Sequence, residues 1–189
     1  DSMAHYLEAT ANQIDLFDVP LHFHMEEASK SMGNYDMRKI FDNTIVGDFP
    51  AEAVTFVDNH DSQPGQGLES WVEPWFKEIA YALILFRKDG YPCVFAGDYY
   101  GLCGPVKTDP LEEMINNMIS VRKKYNYGDQ DDYFDDPAVI GWVRRGDEDH
   151  KPLAVLISIK DMAEKQMHVG EAEAGATYVD LSGKNDEVV

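Results

Sequence analysis

The sequence predicts an α/β fold in which three strand–helix units precede a region of antiparallel strands. The predicted strands end near Val19, Asp58 and Ala96, and the spacing fits one strand, one helix and their loops, as in parallel α/β barrels. From Val139 onwards apolar residues alternate with period two and no helical pattern intervenes, which favours antiparallel pairing. We therefore predict two parts, residues 1–127 and residues 128–189.

Helical and extended patterns alternate through the first part. The predicted elements are, in chain order, a helix over 2–11, a strand over 14–19, a short helix over 35–41, a strand over 53–58, a helix from 74, a strand over 93–96 and a helix from 109. Pro20 is predicted to stop the first strand. Pro74 suits the first turn of a helix, and Asp109, followed by Pro110 and Glu112, suits a capped helix start.

Two of these helices carry apolar stripes at helical spacing. The stripes are Trp75, Phe76, Ile79, Ala80, Leu83 and Phe86 in one, and Leu111, Met114, Ile115, Met118, Val121 and Tyr125 in the other. A sugar-binding platform is one interpretation of the aromatic stripe, and core packing is the commoner one. In the second part an acidic loop over 129–136 precedes predicted strands over 139–143, 153–159, 166–169 and 177–180.

A pair of histidines follows the first predicted strand. His22 and His24 are two residues apart, so in an extended chain their side chains share a face. Together with Glu26 and Glu27 they would offer ligands to a metal ion, but no third ligand stands at a diagnostic spacing. We therefore assign no metal site to the chain.

Charge and composition restrict the classes of partner. Of 189 residues, 44% are hydrophobic and 27% charged, which is typical of a globular protein of one or two domains. The net charge of −19, from 16 basic and 35 acidic residues, disfavours nucleic acid and anionic membrane surfaces, because phosphate contacts require Lys and Arg. No apolar run approaches the ~20 residues of a membrane helix. The first residues lack a signal-peptide pattern, although a signal could have stood upstream.

The segment 53–61 carries the strongest indication of function. A short apolar, β-branched run is followed abruptly by Asp58, Asn59, His60 and Asp61, and Pro64-Gly65 then turns the chain. A buried strand with a carboxylate, an amide and an imidazole at its C-terminal end is how α/β barrels present catalytic groups. The alternative is a hydrogen-bonded polar cluster that caps the strand end.

Several motifs, in order along nearly the whole chain, resemble the α-amylase family, glycoside hydrolase family 13. The strand-seven motif of that family is similar to Phe56-Val57-Asp58-Asn59-His60-Asp61. Its sixth strand, seventh helix and eighth strand resemble, respectively, segments 16–21, 75–82 and 90–101. The likeness is greatest to the bacterial liquefying and cytoplasmic members.

For the fold, the resemblance implies the last three strand–helix units of a TIM (β/α)8 barrel, followed by part of an antiparallel β-sandwich C-terminal domain. A complete barrel needs eight such units and roughly 250 residues. We therefore expect residues 1–127 to end the barrel and residues 128–189 to begin the β domain. The chain would then be a C-terminal fragment whose partner is the remaining N-terminal part of the barrel; the whole is called here the complete enzyme.

For function, the resemblance implies retaining endo-hydrolysis of α-1,4-glucosidic bonds in starch, glycogen or maltodextrin. It assigns transition-state stabilisation to Asp61 and substrate binding to His60 and Asn59, with Asn59 fixing the loop and Asp58 structural. The nucleophile and the acid/base are expected upstream of Asp1. Alternatives are a transglycosylase or α-glucosidase of the same family, or a catalytically silent glucan-binding or assembly fragment. The compartment is cytoplasmic or secreted, with cytoplasmic favoured.

The resemblance also implies calcium in the complete enzyme, with most ligands outside this chain. Some family members bind a further ion between barrel and C-terminal domain, partly through backbone carbonyls near Gly33 and Tyr35. The carboxylates of that site align with Ala138 and Ile159, which cannot coordinate a cation. We therefore expect no ion there.

Overall fold

The computed structural model describes residues 2–184, which form six α-helices, six strands and three short 3₁₀ helices. The α-helices are α1 (Ser2–Ala9), α2 (Val19–Lys30), α3 (Ile45–Asp48), α4 (Lys77–Leu85), α5 (Ala96–Tyr100) and α6 (Glu112–Tyr125). The strands are β1 (Leu16–Phe17), β2 (Ala53–Phe56), β3 (Tyr91–Cys93), β4 (Gln130–Tyr133), β5 (Val139–Arg144) and β6 (Leu153–Ser158). The 3₁₀ helices are Met37–Lys39, Pro74–Phe76 and Glu171–Glu173. None of the helices within these residues combines the length and apolarity needed to cross a membrane.

The first sheet is parallel, with the order β1-β2-β3. Leu16 pairs with Ala53, and Thr55 pairs with Pro92, so β2 lies in the centre. A helix follows each strand, which confirms the predicted α/β class. Within residues 2–184 the sheet is open, with β1 and β3 at its edges, and no closed barrel forms.

The second sheet is antiparallel, with the order β4-β5-β6. Trp142 in β5 is fully buried, and its Nε1 donates a hydrogen bond to the Phe86 carbonyl oxygen at 2.9 Å. This sheet therefore packs against the end of α4, and buried residues of both sheets share one core. The division at residues 127 and 128 stays a prediction.

Two predictions for the second part are wrong. The segment 129–136 is not a loop throughout, because β4 lies within it and pairs with β5. The carboxylates of Asp131 and Asp132 are bound by Arg145 and Arg87, which neutralises the charge that argued against a strand. The segments 166–169 and 177–180 do not form strands.

The residues after β1 begin a helix, so the prediction of extended chain at His22 and His24 is wrong. The buried Asp18 is the N-cap of α2, and its Oδ1 accepts the Leu21 N–H at 3.0 Å. The same carboxylate accepts the N–H groups of Ile45 and Val46 at 3.1 and 2.7 Å, and so ties α3 to α2. Pro20 lies in the first helical turn, where its missing N–H costs nothing. On an α-helix, residues i and i+2 point roughly 200° apart, so His22 and His24 do not share a face.

Two other boundaries differ from prediction. The third strand ends at Cys93, and α5 already begins at Ala96. Helix α6 begins at Glu112 without a side-chain cap, so Asp109 is not its N-cap. The N–H of Leu111 instead bonds the Asp98 carbonyl oxygen at 2.9 Å, a tertiary contact that sets the helix start.

The apolar stripes of α4 and α6 pack into the core. The buried residues in and beside α4 are Phe76, Ala80, Leu83 and Phe86. Those in α6 are Ile115, Met118 and Val121. Trp75 is 43% exposed, and its Nε1 donates to the Ser29 carbonyl oxygen at 2.9 Å.

Candidate active site

The polar residues after β2 divide into a buried and an exposed group. Val57 and Asp58 are 0% and 3% exposed, whereas the side chains of His60 and Asp61 are 84% and 63% exposed. Ser62 is buried again at 1%. The chain thus leaves the core at Asn59, turns outside it, and returns at Ser62.

Asp58 lies at the centre of a buried polar cluster. Its Oδ2 accepts Lys77 Nζ at 2.5 Å, its Oδ1 accepts Ser62 Oγ at 3.1 Å, and both oxygens lie 3.3 Å from the Val72 N–H. Lys77 Nζ also donates to Asp98 Oδ1 at 2.6 Å. Tyr81 Oη donates to Asp98 Oδ2 at 2.8 Å. We call these groups, Asp58, Ser62, Lys77, Tyr81 and Asp98, the Lys77 cluster.

The cluster contains two carboxylates and one ammonium. Burial raises the pKa of Asp58, the Lys77 ammonium opposes this rise, and the nearby Asp98 charge adds to it. Burial and the Asp98 carboxylate also raise the pKa of Tyr81, so the phenol stays protonated and donates. A single lysine therefore balances two buried acids.

Asn59 organises the exposed turn through its side chain. Its Oδ1 accepts the N–H groups of Asp61 and Ser62 at 2.8 and 2.9 Å. Its own N–H donates to Ser62 Oγ at 3.0 Å. This Asx-type turn holds the backbone on both sides of His60.

The carboxylate of Asp61 is open to solvent. His60 Nε2 lies 3.6 Å from Asp61 Oδ2. Within residues 2–184 no other side chain forms a hydrogen bond or ion pair with this carboxylate. The turn thus presents an imidazole and a carboxylate side by side, both able to bind a ligand.

Comparison with known proteins gives matches to amylases over the whole of this chain. The chain is 46% identical over 192 residues to an α-amylase of Geobacillus stearothermophilus, an alignment that covers 100% of this chain and 35% of the relative. It is 47% identical over 191 residues to a glucan 1,4-α-maltohexaosidase of Bacillus sp. (strain 707), covering 100% of this chain and 36% of the relative. The chain belongs to the α-amylase family. This confirms the resemblance read from the motifs.

A third α-amylase relative is cytoplasmic by name. The cytoplasmic α-amylase of Escherichia coli (strain K12) is 39% identical over 198 residues, covering 100% of this chain and 40% of the relative. The chain spans 35% to 40% of the length of these three relatives. No protein-family model matches the chain.

His22 supports the strand that precedes the turn in this α-amylase chain. Its Nδ1 lies 2.6 Å from the Val57 carbonyl oxygen, and its Nε2 lies 3.2 Å from Ser70 Oγ. The ring stacks on Phe56, with centroids 5.1 Å apart. Because the Val57 oxygen can only accept, Nδ1 carries the proton.

The structure brings together residues whose roles the sequence did not indicate. Ser62, Lys77 and Asp98 meet around Asp58, and His22 Nδ1 lies 3.7 Å from Asp58 Oδ1, although these residues come from separate segments. One signal was present in the sequence, because Lys77 opens a helix whose later residues are apolar. Lysine is almost never fully buried unless it is paired, so a lysine buried at this position needs an acidic partner.

The residues aligned with the interdomain ion site of the α-amylase family do come together. A Cβ at Gly33 would lie 2.9 Å from the Ile159 carbonyl oxygen, and the Ile159 N–H bonds the Ala138 carbonyl oxygen at 3.1 Å. The side chains of Ala138 and Ile159 contain no oxygen. Within residues 2–184 no group of three or more His, Cys, Asp or Glu could hold a metal ion.

We therefore expect that, in the complete enzyme, no calcium binds between residues 1–127 and residues 128–189. Backbone carbonyls alone do not supply the negative charge that Ca²⁺ sites use. Crystals grown with calcium should give no anomalous peak near Gly33, Ala138 and Ile159. A peak there with six or more oxygen ligands at about 2.3–2.6 Å would contradict this expectation.

Proposed function

We propose that the chain is the C-terminal part of an α-amylase-like glycoside hydrolase that cleaves α-1,4-glucosidic bonds in starch, glycogen or maltodextrin by retaining endo-hydrolysis. The observation that carries the proposal is the exposed Asp61 carboxylate, which stands beside His60 on a rigid turn after a buried parallel strand. The similarity of the whole chain to part of proteins named α-amylase supports it.

Asp61 acts on the transition state in this proposal. Glycoside hydrolysis passes through an oxocarbenium-like transition state, and hydrogen bonds to sugar hydroxyls strengthen as positive charge develops at the anomeric carbon. An exposed carboxylate can accept such bonds and also favours that charge. His60 hydrogen-bonds the same sugar. Asn59 contributes to substrate binding by holding the turn.

The two carboxylates that make and break bonds lie outside this chain. A retaining enzyme needs a nucleophile and an acid/base about 5–5.5 Å apart, and we assign both to the part upstream of Asp1. The partner of the chain is therefore the N-terminal part of a (β/α)8 barrel. The open edges at β1 and β3 support this assignment, because Phe17 and Tyr91 are 56% and 75% exposed there.

The finer architecture is part of the same proposal. Residues 1–127 supply the last three units of the barrel, and residues 128–189 begin an antiparallel β-sandwich domain. Residue 1 and residues 185–189 lie outside the described residues. Calcium binds the complete enzyme mostly through ligands outside this chain. The compartment is cytoplasmic or secreted, and the name of the Escherichia coli relative favours the cytoplasm.

The proposal predicts that the 189-residue chain alone does not hydrolyse starch, whereas the complete enzyme does. The physical reason is that Asp61 stabilises charge but forms no bond, so without the upstream nucleophile no glycosyl–enzyme intermediate forms. The measurement is the release of reducing ends from starch, with chromatography of the products. Internal cleavage to mixed oligosaccharides is expected of the complete enzyme. Turnover by the purified chain would contradict the assignment of the nucleophile.

A further inference from the structure

The position of the Asp61 carboxylate depends on its backbone. Among residues 2–184, His60 alone lies beside this side chain, and the two side chains are 84% and 63% exposed. Packing therefore does not fix the rotamer of either side chain. What locates the carboxylate relative to the protein is therefore the turn on which Asp61 stands.

The Ser62 side chain attaches that turn to the buried Asp58, in addition to backbone bonds such as that from the Leu68 N–H to the Asp61 carbonyl oxygen at 3.3 Å. The Ser62 hydroxyl accepts the Asn59 N–H at 3.0 Å and donates to Asp58 Oδ1 at 3.1 Å. The Asn59 side chain in turn holds the N–H groups of Asp61 and Ser62. One buried hydroxyl thus connects both ends of the turn to a buried carboxylate.

Asp58 is itself held from two other segments, α4 and the chain before it, and Lys77 links it to α5. Lys77 at the start of α4 bonds both Asp58 and Asp98, and Asp98 lies in α5. The Val72 N–H approaches both oxygens of Asp58 from the chain before α4. The carboxylate that Ser62 contacts is therefore a fixed point, 3% exposed, at which β2, α4 and α5 meet.

We propose that Ser62 is a positioning residue for the hydrolytic reaction: its hydroxyl transmits the fixed position of Asp58 to the turn and so places the Asp61 carboxylate against the sugar. The inference rests on the proposed function, since it concerns the same site. A small displacement of a group that acts on the transition state lowers kcat more than it lowers substrate affinity. The effect of Ser62 on kcat is therefore expected to pass mainly through Asp61, since His60 and Asn59 on the same turn contribute to substrate binding.

A double-mutant cycle in the complete enzyme tests this dependence. Ser62→Ala is expected to lower kcat by about 10-fold to 100-fold, with KM changed by less than about 3-fold. In the Asp61→Asn background the same substitution should cost less than about 3-fold, because the group that Ser62 positions no longer acts. Ser62→Cys, which is nearly isosteric and a weaker donor, should give the same pattern and serves if the alanine variant does not fold.

Ser70→Ala is the matched control. Ser70 is also buried, at 6%, and its hydroxyl contacts His22, whereas its bond to the turn, to the Ser62 carbonyl oxygen at 3.1 Å, uses the backbone N–H that alanine keeps. Its kcat should stay within about 2-fold of wild type in both backgrounds. A normal kcat for Ser62→Ala, or an equal loss with and without Asp61, would overturn the inference and leave the proposed function standing. A normal kcat for Asp61→Asn alone would overturn both.

Discussion

Replacing Lys77 with methionine is expected to lower the free energy of unfolding of the complete enzyme by about 3–5 kcal/mol. Lys77 is 8% exposed and lies between Asp58 and Asp98, which are 3% and 9% exposed. Methionine keeps most of the apolar stem and removes only the ammonium. The cost therefore arises from two buried carboxylates that lose their shared counter-charge.

The expected loss depends on pH. Burial already raises the pKa of Asp58 from 3.8 against the opposing effect of Lys77, so without the ammonium that pKa rises further. The folded variant then binds a proton that the unfolded chain has released, and stability falls as pH rises from about 3.8 through the raised folded-state pKa. The destabilisation should be smaller at about pH 5 than at about pH 8.

Urea denaturation at both pH values measures these effects, with Lys88→Met as the matched control. Lys88 Nζ bonds Asp129 Oδ1 at 2.9 Å, but these side chains are 48% and 82% exposed, so the control should cost under about 1 kcal/mol. Adding Asp98→Asn to Lys77→Met should recover part of the loss, since one buried acid is removed. Equal losses for Lys77→Met and Lys88→Met would refute the role given to the cluster.

Elements with a strong local pattern could be predicted from the sequence. The apolar run at β2, the stripe of α6 and the apolar residues of β5 each determine their structure through burial, and β5 is buried on both faces rather than at alternate residues. Helix α2 was missed because Pro20 was interpreted as the end of a strand, whereas Asp18 caps a helix that has Pro20 in its first turn. Strand β4 was missed because its carboxylates are neutralised by arginines from other segments.

The same distinction applies to the candidate site. Asn59, His60 and Asp61 are consecutive, so their presence at one strand end was evident from the sequence. The partners of Asp58 are not local: Lys77 follows it by 19 residues, and Asp98 follows Lys77 by 21. Only the fold brings α4 and α5 against the end of β2. The division into exposed and buried acids was likewise absent from the sequence, since Asp58 and Asp61 are the same residue type.

Replacing Asp61 with asparagine in the complete enzyme is expected to lower kcat by about 10²–10³-fold or more. Asparagine keeps the shape of the side chain and one oxygen acceptor but removes the negative charge. Because that charge matters most when the anomeric carbon becomes positive, the Kd of a maltooligosaccharide should change little. His60→Asn should cost less, since it removes only one member of the hydrogen-bond set around the sugar.

The competing interpretation of Asp61 is a structural cap, and stability separates the two. If the Asp61 carboxylate capped the strand end, its mutation would lower the melting temperature and leave the kcat of the folded protein unchanged. Asp61 is 63% exposed, and only His60 approaches its carboxylate within residues 2–184, so we expect Asp61→Asn to unfold within a few degrees of wild type. Asp48→Asn, at the exposed end of α3, is the matched control and should leave both kcat and the melting temperature unchanged. A near-normal kcat for Asp61→Asn would end the catalytic assignment, whereas a collapse of kcat at an unchanged melting temperature is the result that only a group acting on the transition state produces.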